Sequence, residues 1–210
     1  MIRRRQTMRW PIAIGALLFV AATECSFAAD PRYPDWPCTQ AKVPEISLAA
    51  VWAGPPLDDV NNKWKDDAKA SVLVAKLAAR RTSLEDAQKL ITEFLAAPAT
   101  DKATTGKLLF AGLFDSLNAQ RTSVMNGLER ITRKQRDAAD KIREETLALQ
   151  ALQGVTPRDE AKVEALSNEL IWKTRIFEDR HKVVRFVCEV PTSIDQRLFA
   201  LGRVIQQEME

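Results

Sequence analysis

Few residues in this chain have types and spacings that could do chemistry. Its one histidine, His181, stands in Glu178-Asp179-Arg180-His181-Lys182 with no serine or acidic pair placed to make it a general base. It reads as a solvated helix residue. Carboxylates pair at Asp58-Asp59, Asp66-Asp67 and Glu144-Glu145. None follows the alternating oxygen donors of an EF-hand or the Glu-x-x-His pairs of di-iron bundles. Thr104-Thr105-Gly106-Lys107 is a fragment of a phosphate loop without its first glycine or a preceding strand, and no Gly-x-Ser-x-Gly element occurs. One histidine and three scattered cysteines also leave out the common zinc, iron–sulfur and haem-attachment patterns. The expectation is a non-enzymatic protein with no cofactor and no metal.

The cysteines are more telling. Arg3, Arg4, Arg5 and Arg9 precede an apolar stretch from Trp10 to Ala22, and Ser26 and Ala28 stand at the small-residue positions of a cleavage site. That order is the order of a secretory signal peptide, assigned to residues 1–28. Glu24 before Cys25 argues against a lipoprotein, and Gln6-Thr7-Met8 fits a twin-arginine signal poorly. Processing removes Cys25 and leaves Cys38 and Cys188, which in an oxidising compartment read as one structural disulfide. A redox enzyme would hold both sulfurs in one short motif. These two lie at opposite ends of the processed chain.

Processing also changes the charge. The full chain has 31 Lys and Arg against 28 Asp and Glu; the signal holds four arginines and Glu24, so 27 of each sign remain. The basic balance belongs to the signal, so nucleic-acid binding is not expected. No apolar run approaches the roughly 18 to 20 residues of a spanning helix, so no transmembrane span is expected after cleavage. The expected location is periplasmic or secreted.

What must position these residues is read from periodicity. Residues 29–57 hold six prolines with Trp36 and Trp52, which predicts an extended Pro/Trp-rich strap laid against helices. The rest, 58–210, reads as a helical domain. Val60, Trp64, Ala68, Val72, Ala75 and Ala79 predict one helix, closed by Arg80-Arg81. Ser83 with Asp86, or Thr82 with Glu85, caps the next, with Leu84, Ala87, Leu90, Ile91, Phe94 and Leu95 on its apolar face and Pro98 at its end. A polar loop at 98–105 leads to a long helix over 106–152, its seam running through Phe110, Leu117, Val124, Leu128, Ile131, Ala138, Ile142 and Leu149. Gln135 and Glu145 fill two seam slots, a polar interruption that fixes register. Gly154 ends this helix, Thr156 caps a return helix at Pro157, and 157–190 follows. Pro191 breaks it before a C-terminal helix capped by Thr192 or Ser193.

The predicted fold is therefore all-α: a long antiparallel, coiled-coil-like hairpin, two short N-terminal helices, the strap and a C-terminal helix. A turn at Gly154 places Cys188 opposite Arg121 and Arg180 opposite Glu129. Charges from Glu129 to Glu145 are read as pairs four residues apart: Arg133–Asp137, Arg136–Asp140, Asp137–Lys141 and Lys141–Glu145. The basic cluster Arg130, Arg133, Lys134 and Arg136 is a candidate contact for anionic lipid or an acidic partner. Trp36, Trp52 and Trp64 are candidate binding residues for a small ligand between strap and helices. The function expected is an interaction, scaffold or holdase-like factor of the bacterial envelope, with another envelope protein or a second copy as partner. The alternative is a periplasmic small-ligand carrier.

Overall fold

A computed structural model describes residues 30–97 and 101–210. The segment read as a signal peptide, 1–28, and Pro98 as a helix end lie outside the described residues. The described chain is all-α, with no strand. A one-turn α1 (Leu48–Val51) and a 3-10 turn (Lys63–Lys65) precede α2 (Ala68–Ala78) and α3 (Leu84–Leu95). Then come α4 (Lys102–Gln153), α5 (Glu160–Val187) and α6 (Glu189–Met209).

Capping explains most of the boundaries, and it corrects several expectations. Asp67 accepts from the Ala70 amide and starts α2 at Ala68, well after the predicted start near Asn61. The face that α2 buries is Ala70, Leu73, Val74, Leu77 and Ala78, whereas Ala68, Val72 and Ala75 look outward. Arg80 and Arg81 do not close the helix. Arg197 reaches over from α6 and donates to the Leu77 and Thr82 carbonyls. Ser83 caps α3 through the Asp86 amide, as expected. Ala87, Ile91 and Leu95 of α3 are buried, but Leu84 is exposed.

The loop predicted up to residue 105 is shorter. Asp101 accepts from the Thr104 amide and hydroxyl, so α4 begins at Lys102. At ~1.5 Å per residue its 52 residues reach about 78 Å. The return helix starts later than Pro157, because Asp159 rather than Thr156 caps it, through the Lys162 amide. This longer turn shifts the register, by three residues at Gln135 and by more at Glu145. Gln135 meets Phe177, and Lys173 meets Glu145. Glu129 pairs with Lys42 instead of Arg180. Pro191 breaks the helix as expected, but earlier in the chain: α5 ends at Val187 and α6 starts at Glu189. It sits in the first turn of α6, where backbone N–H groups have no helical acceptor, and Ser193 donates to the Glu189 carbonyl instead of capping.

The core lies at one end of the hairpin. Leu109, Phe110, Leu113 and Leu117 of α4 meet Leu198, Leu201 and Ile205 of α6, with α2 and α3 closing the sides. Trp52 stacks on Phe110 with ring centroids 4.2 Å apart. Beyond Leu128, α4 and α5 leave this core and continue as a two-helix arm of about 38 Å. In that arm the one buried residue among those described is Leu170.

Candidate functional site

The arm has two unlike faces. One is covered by the strap. Cys38 bonds to Cys188 with Cα atoms 5.5 Å apart, a separation that suits a disulfide. Lys42 of the strap pairs with Glu129 at 2.5 Å, and Gln40 donates to Glu189 at 3.1 Å. Asp35 takes both Arg133 and Arg136. The two arginines therefore turn to the strap rather than to Asp137 and Asp140, which corrects the intrahelical pairing read from the sequence. Half of the basic cluster is thereby matched with charge from within the chain.

The other face carries a groove. Its lower part, about 580 Å³, runs between Val124, Leu128 and Ile131 of α4 and Ile176, Val183 and Val187 of α5. An upper part of about 250 Å³ continues past Ala138 and Ile142 to Lys173, sharing Ile176 and Arg180 with the lower part. Helical spacing puts these residues and Asp35's arginines on opposite sides of α4, because 131 and 136 lie about 140° apart on the wheel. The rim carries Arg130, Lys141, Arg180 and Asp179. Among the described residues Arg130, Lys141 and Arg180 form no ion pair, while Asp179 pairs with Lys182. Val183 is 58% exposed, and Trp172, one turn beyond Ile176 on the same wall, is 61% exposed.

Across the seam, polar slots are matched as expected. Gln135 donates to the Phe177 carbonyl at 3.1 Å. Lys173 bridges Glu145 and Glu169, and the Glu145 carboxylate first, then Glu169, holds its ammonium pKa above the ordinary value. Each polar seam residue therefore has a defined mate on the facing helix.

The three tryptophans have three different surroundings. Trp52 is buried on Phe110 and donates to the Pro55 carbonyl. Trp64 donates to Asp115, and Trp36 donates to the Gln40 carbonyl. None of them lines the two grooves above or the cavity of about 580 Å³ beside the disulfide, which is formed by Pro37, Gln40, Arg185 and Phe186. His181 is exposed on α5. The carboxylate pairs are dispersed: Asp67 caps α2, Glu145 holds Lys173, and Asp59 holds Lys107, which keeps the Asp59 carboxyl below its usual range. No group of three or more His, Cys, Asp or Glu able to hold a metal ion is found among the described residues. Among them, too, no helix is long and apolar enough to cross a membrane.

Sequence reading placed Ile131 in the seam but passed over Trp172, Ile176 and Val183. Their signal was present. Residues 172, 176, 183 and 187 repeat at helical spacing beside the seam, so the apolar stripe of α5 is wider than one facing helix can cover. Comparison with protein-family models, with curated proteins and with solved structures finds no match.

Proposed function

We propose that this chain is an exported, non-enzymatic interaction protein of a bacterial envelope, a scaffold, adaptor or holdase-like factor that works through the faces of its helical arm. One observation carries the reading. A disulfide-tied base holds out an arm of about 38 Å whose apolar residues are left uncovered on one side. A protein that only needed to be stable would gain nothing from two helices extended beyond their core. Helix-in-groove and helix-face contacts are the recognition mode such a surface serves.

The test is affinity capture of the exported chain from envelope extract, beside a chain with a shortened arm. Excising 139–152 and 160–173 removes two matched heptads from each helix and leaves the base intact. The expected result is one stoichiometric partner retained by the full arm and lost with the short one. Equal recovery by both chains, or recovery of a small molecule without any protein, would overturn the reading.

A further inference from the structure

We propose that the groove between α4 and α5, on the side of the arm away from the strap, receives one amphipathic helix with acidic flanks from a partner protein, making the arm three-stranded. This rests on the reading of the chain as an interaction protein and names the partner's chemistry. The two parts of the groove are continuous through Ile176 and Arg180. From Val124 to Ile142 they span about 27 Å, the length of about 18 residues of helix. The floor is aliphatic, from Leu128, Ile131, Val184 and Val187. Apolar residues spaced three and four apart on an incoming helix would seat between α4 and α5 as a third strand does in a coiled coil.

Charge selects the occupant. Arg130, Lys141 and Arg180 stand on the rim with no ion-pair partner among the described residues, and Asp179 is held by Lys182. A helix carrying Glu or Asp beside its apolar stripe gains contacts that a neutral or basic helix cannot make. The strap shows the same chemistry on the far side, where one aspartate, Asp35, sits on Arg133 and Arg136. A second copy of this chain fits less well. Parallel two-fold packing sets every rim cation against itself, and antiparallel packing centred on the groove does so for Arg180. A lipid surface would meet the rim cations but not the recessed floor. Trp172, exposed at the upper end of the α5 wall, is the kind of residue that anchors such contacts.

The experiment uses the exported, disulfide-bonded chain and three fluorescent peptides of about 18 residues: a leucine-striped helix with glutamate flanks, the same helix with lysine flanks, and a scrambled glutamate peptide without a stripe. Fluorescence anisotropy should show the glutamate peptide binding at least about tenfold tighter than the lysine peptide, with no binding of the scramble. Val183→Glu, at an exposed position, should weaken the glutamate peptide about tenfold or more. The double variant Arg130→Glu/Arg180→Glu should reverse the preference toward lysine, a gain that misfolding cannot produce. Four results would overturn the proposal: no preference between the two flanks, indifference to Val183→Glu, a dimer that Val183→Glu dissociates, or Val183-dependent binding to phosphatidylglycerol vesicles without peptide binding. Partner capture separates this failure from failure of the broader reading. A partner still retained by Val183→Glu leaves the interaction role standing and removes the groove; loss of peptide binding with no captured partner removes both.

Discussion

One side chain ties three parts of the molecule together. Arg121 on α4 is 5% exposed, pairs with Asp195 of α6 at 2.8 Å, and donates to the Val43 carbonyl of the strap at 2.7 Å. The two partners are unequal, since Asp195 is 38% exposed. Removing Arg121 lets the Asp195 carboxylate hydrate, whereas removing Asp195 strands a buried guanidinium. Asp195→Ala should therefore destabilise the fold more than Arg121→Met, by about 1–3 kcal/mol in urea unfolding, below the full cost of breaking a wholly buried pair. The same residues set the response to acid. Burial raises the Asp195 pKa against the pull of Arg121, so its contribution is present at low pH and declines as pH rises through the folded value. The helix caps run the other way. Hydrogen bonds from Thr104 hold Asp101, and those from Lys162 hold Asp159, below the ordinary 3.8. Their contribution is present above that value and lost as pH falls through the folded one. With caps on both long helices, the melting temperature should drop on acidification below about pH 4. Thermal unfolding of Asp101→Asn and Asp159→Asn should show a smaller drop.

At the level of elements, close approach and register do the specifying. A Cβ placed on Gly202 of α6 would lie 2.8 Å from both the Phe110 ring and the Val51 carbonyl, and the latter is backbone that cannot step aside. A Cβ on Gly106 would meet the flexible end of Met209. Gly202→Ala should cost about 1–3 kcal/mol and Gly106→Ala much less, a contrast that chemical denaturation will read directly. In the arm, Gln135 occupies a slot that apolar packing would fill better. Gln135→Leu should stabilise the arm by about 1 kcal/mol, seen as slower amide exchange in 130–150, while weakening the preference for a single register. These polar slots were legible in advance because a glutamine and a glutamate interrupting an apolar repeat stand out at any register. The Ser83 cap was legible from local spacing, and Cys38–Cys188 from the count of cysteines left after the signal. The phase of α2 was not, because Val72, Leu73 and Val74 are contiguous and equally apolar, so only packing against α4 decides which turns inward. The break near Pro191 was legible, but its place at Cys188 was not, because the sequence does not show which amides keep a helical acceptor. Asp35 with Arg133 and Arg136 spans about a hundred residues of sequence, and no helical spacing rule reaches that far.

Considered whole, the molecule divides its labour: the base is stabilised by burial, and the arm is kept in place by pairing. The base buries rings and branched chains from α1 to α4, α6 and the strap, whereas the arm beyond Leu128 keeps one buried residue among those described. An arm so thinly packed holds its direction only if its root is rigid, and the root is where Cys188 joins α5 to α6 and carries the disulfide. The bridge closes 150 residues of chain, for which loop entropy gives an upper value of about 5 kcal/mol. Lys42–Glu129 and the Arg121 contact to Val43 keep part of the strap in place without it. Cys38→Ser/Cys188→Ser should therefore lose about 2–4 kcal/mol and keep its helical circular dichroism. The change should concentrate in the strap, where the Trp36 amide bonded to the Tyr33 carbonyl would exchange faster while amides of α2 and α3 hold. Freed of its tether, Asp35 leaves Arg133 and Arg136 to solvent, and the arm then presents cations on both faces. In the peptide assay above, the bridgeless variant should accordingly bind glutamate-flanked helix with a second, weaker site. Unchanged exchange at Trp36 would mean that the ion pairs alone hold the strap and that the sulfurs add only entropy.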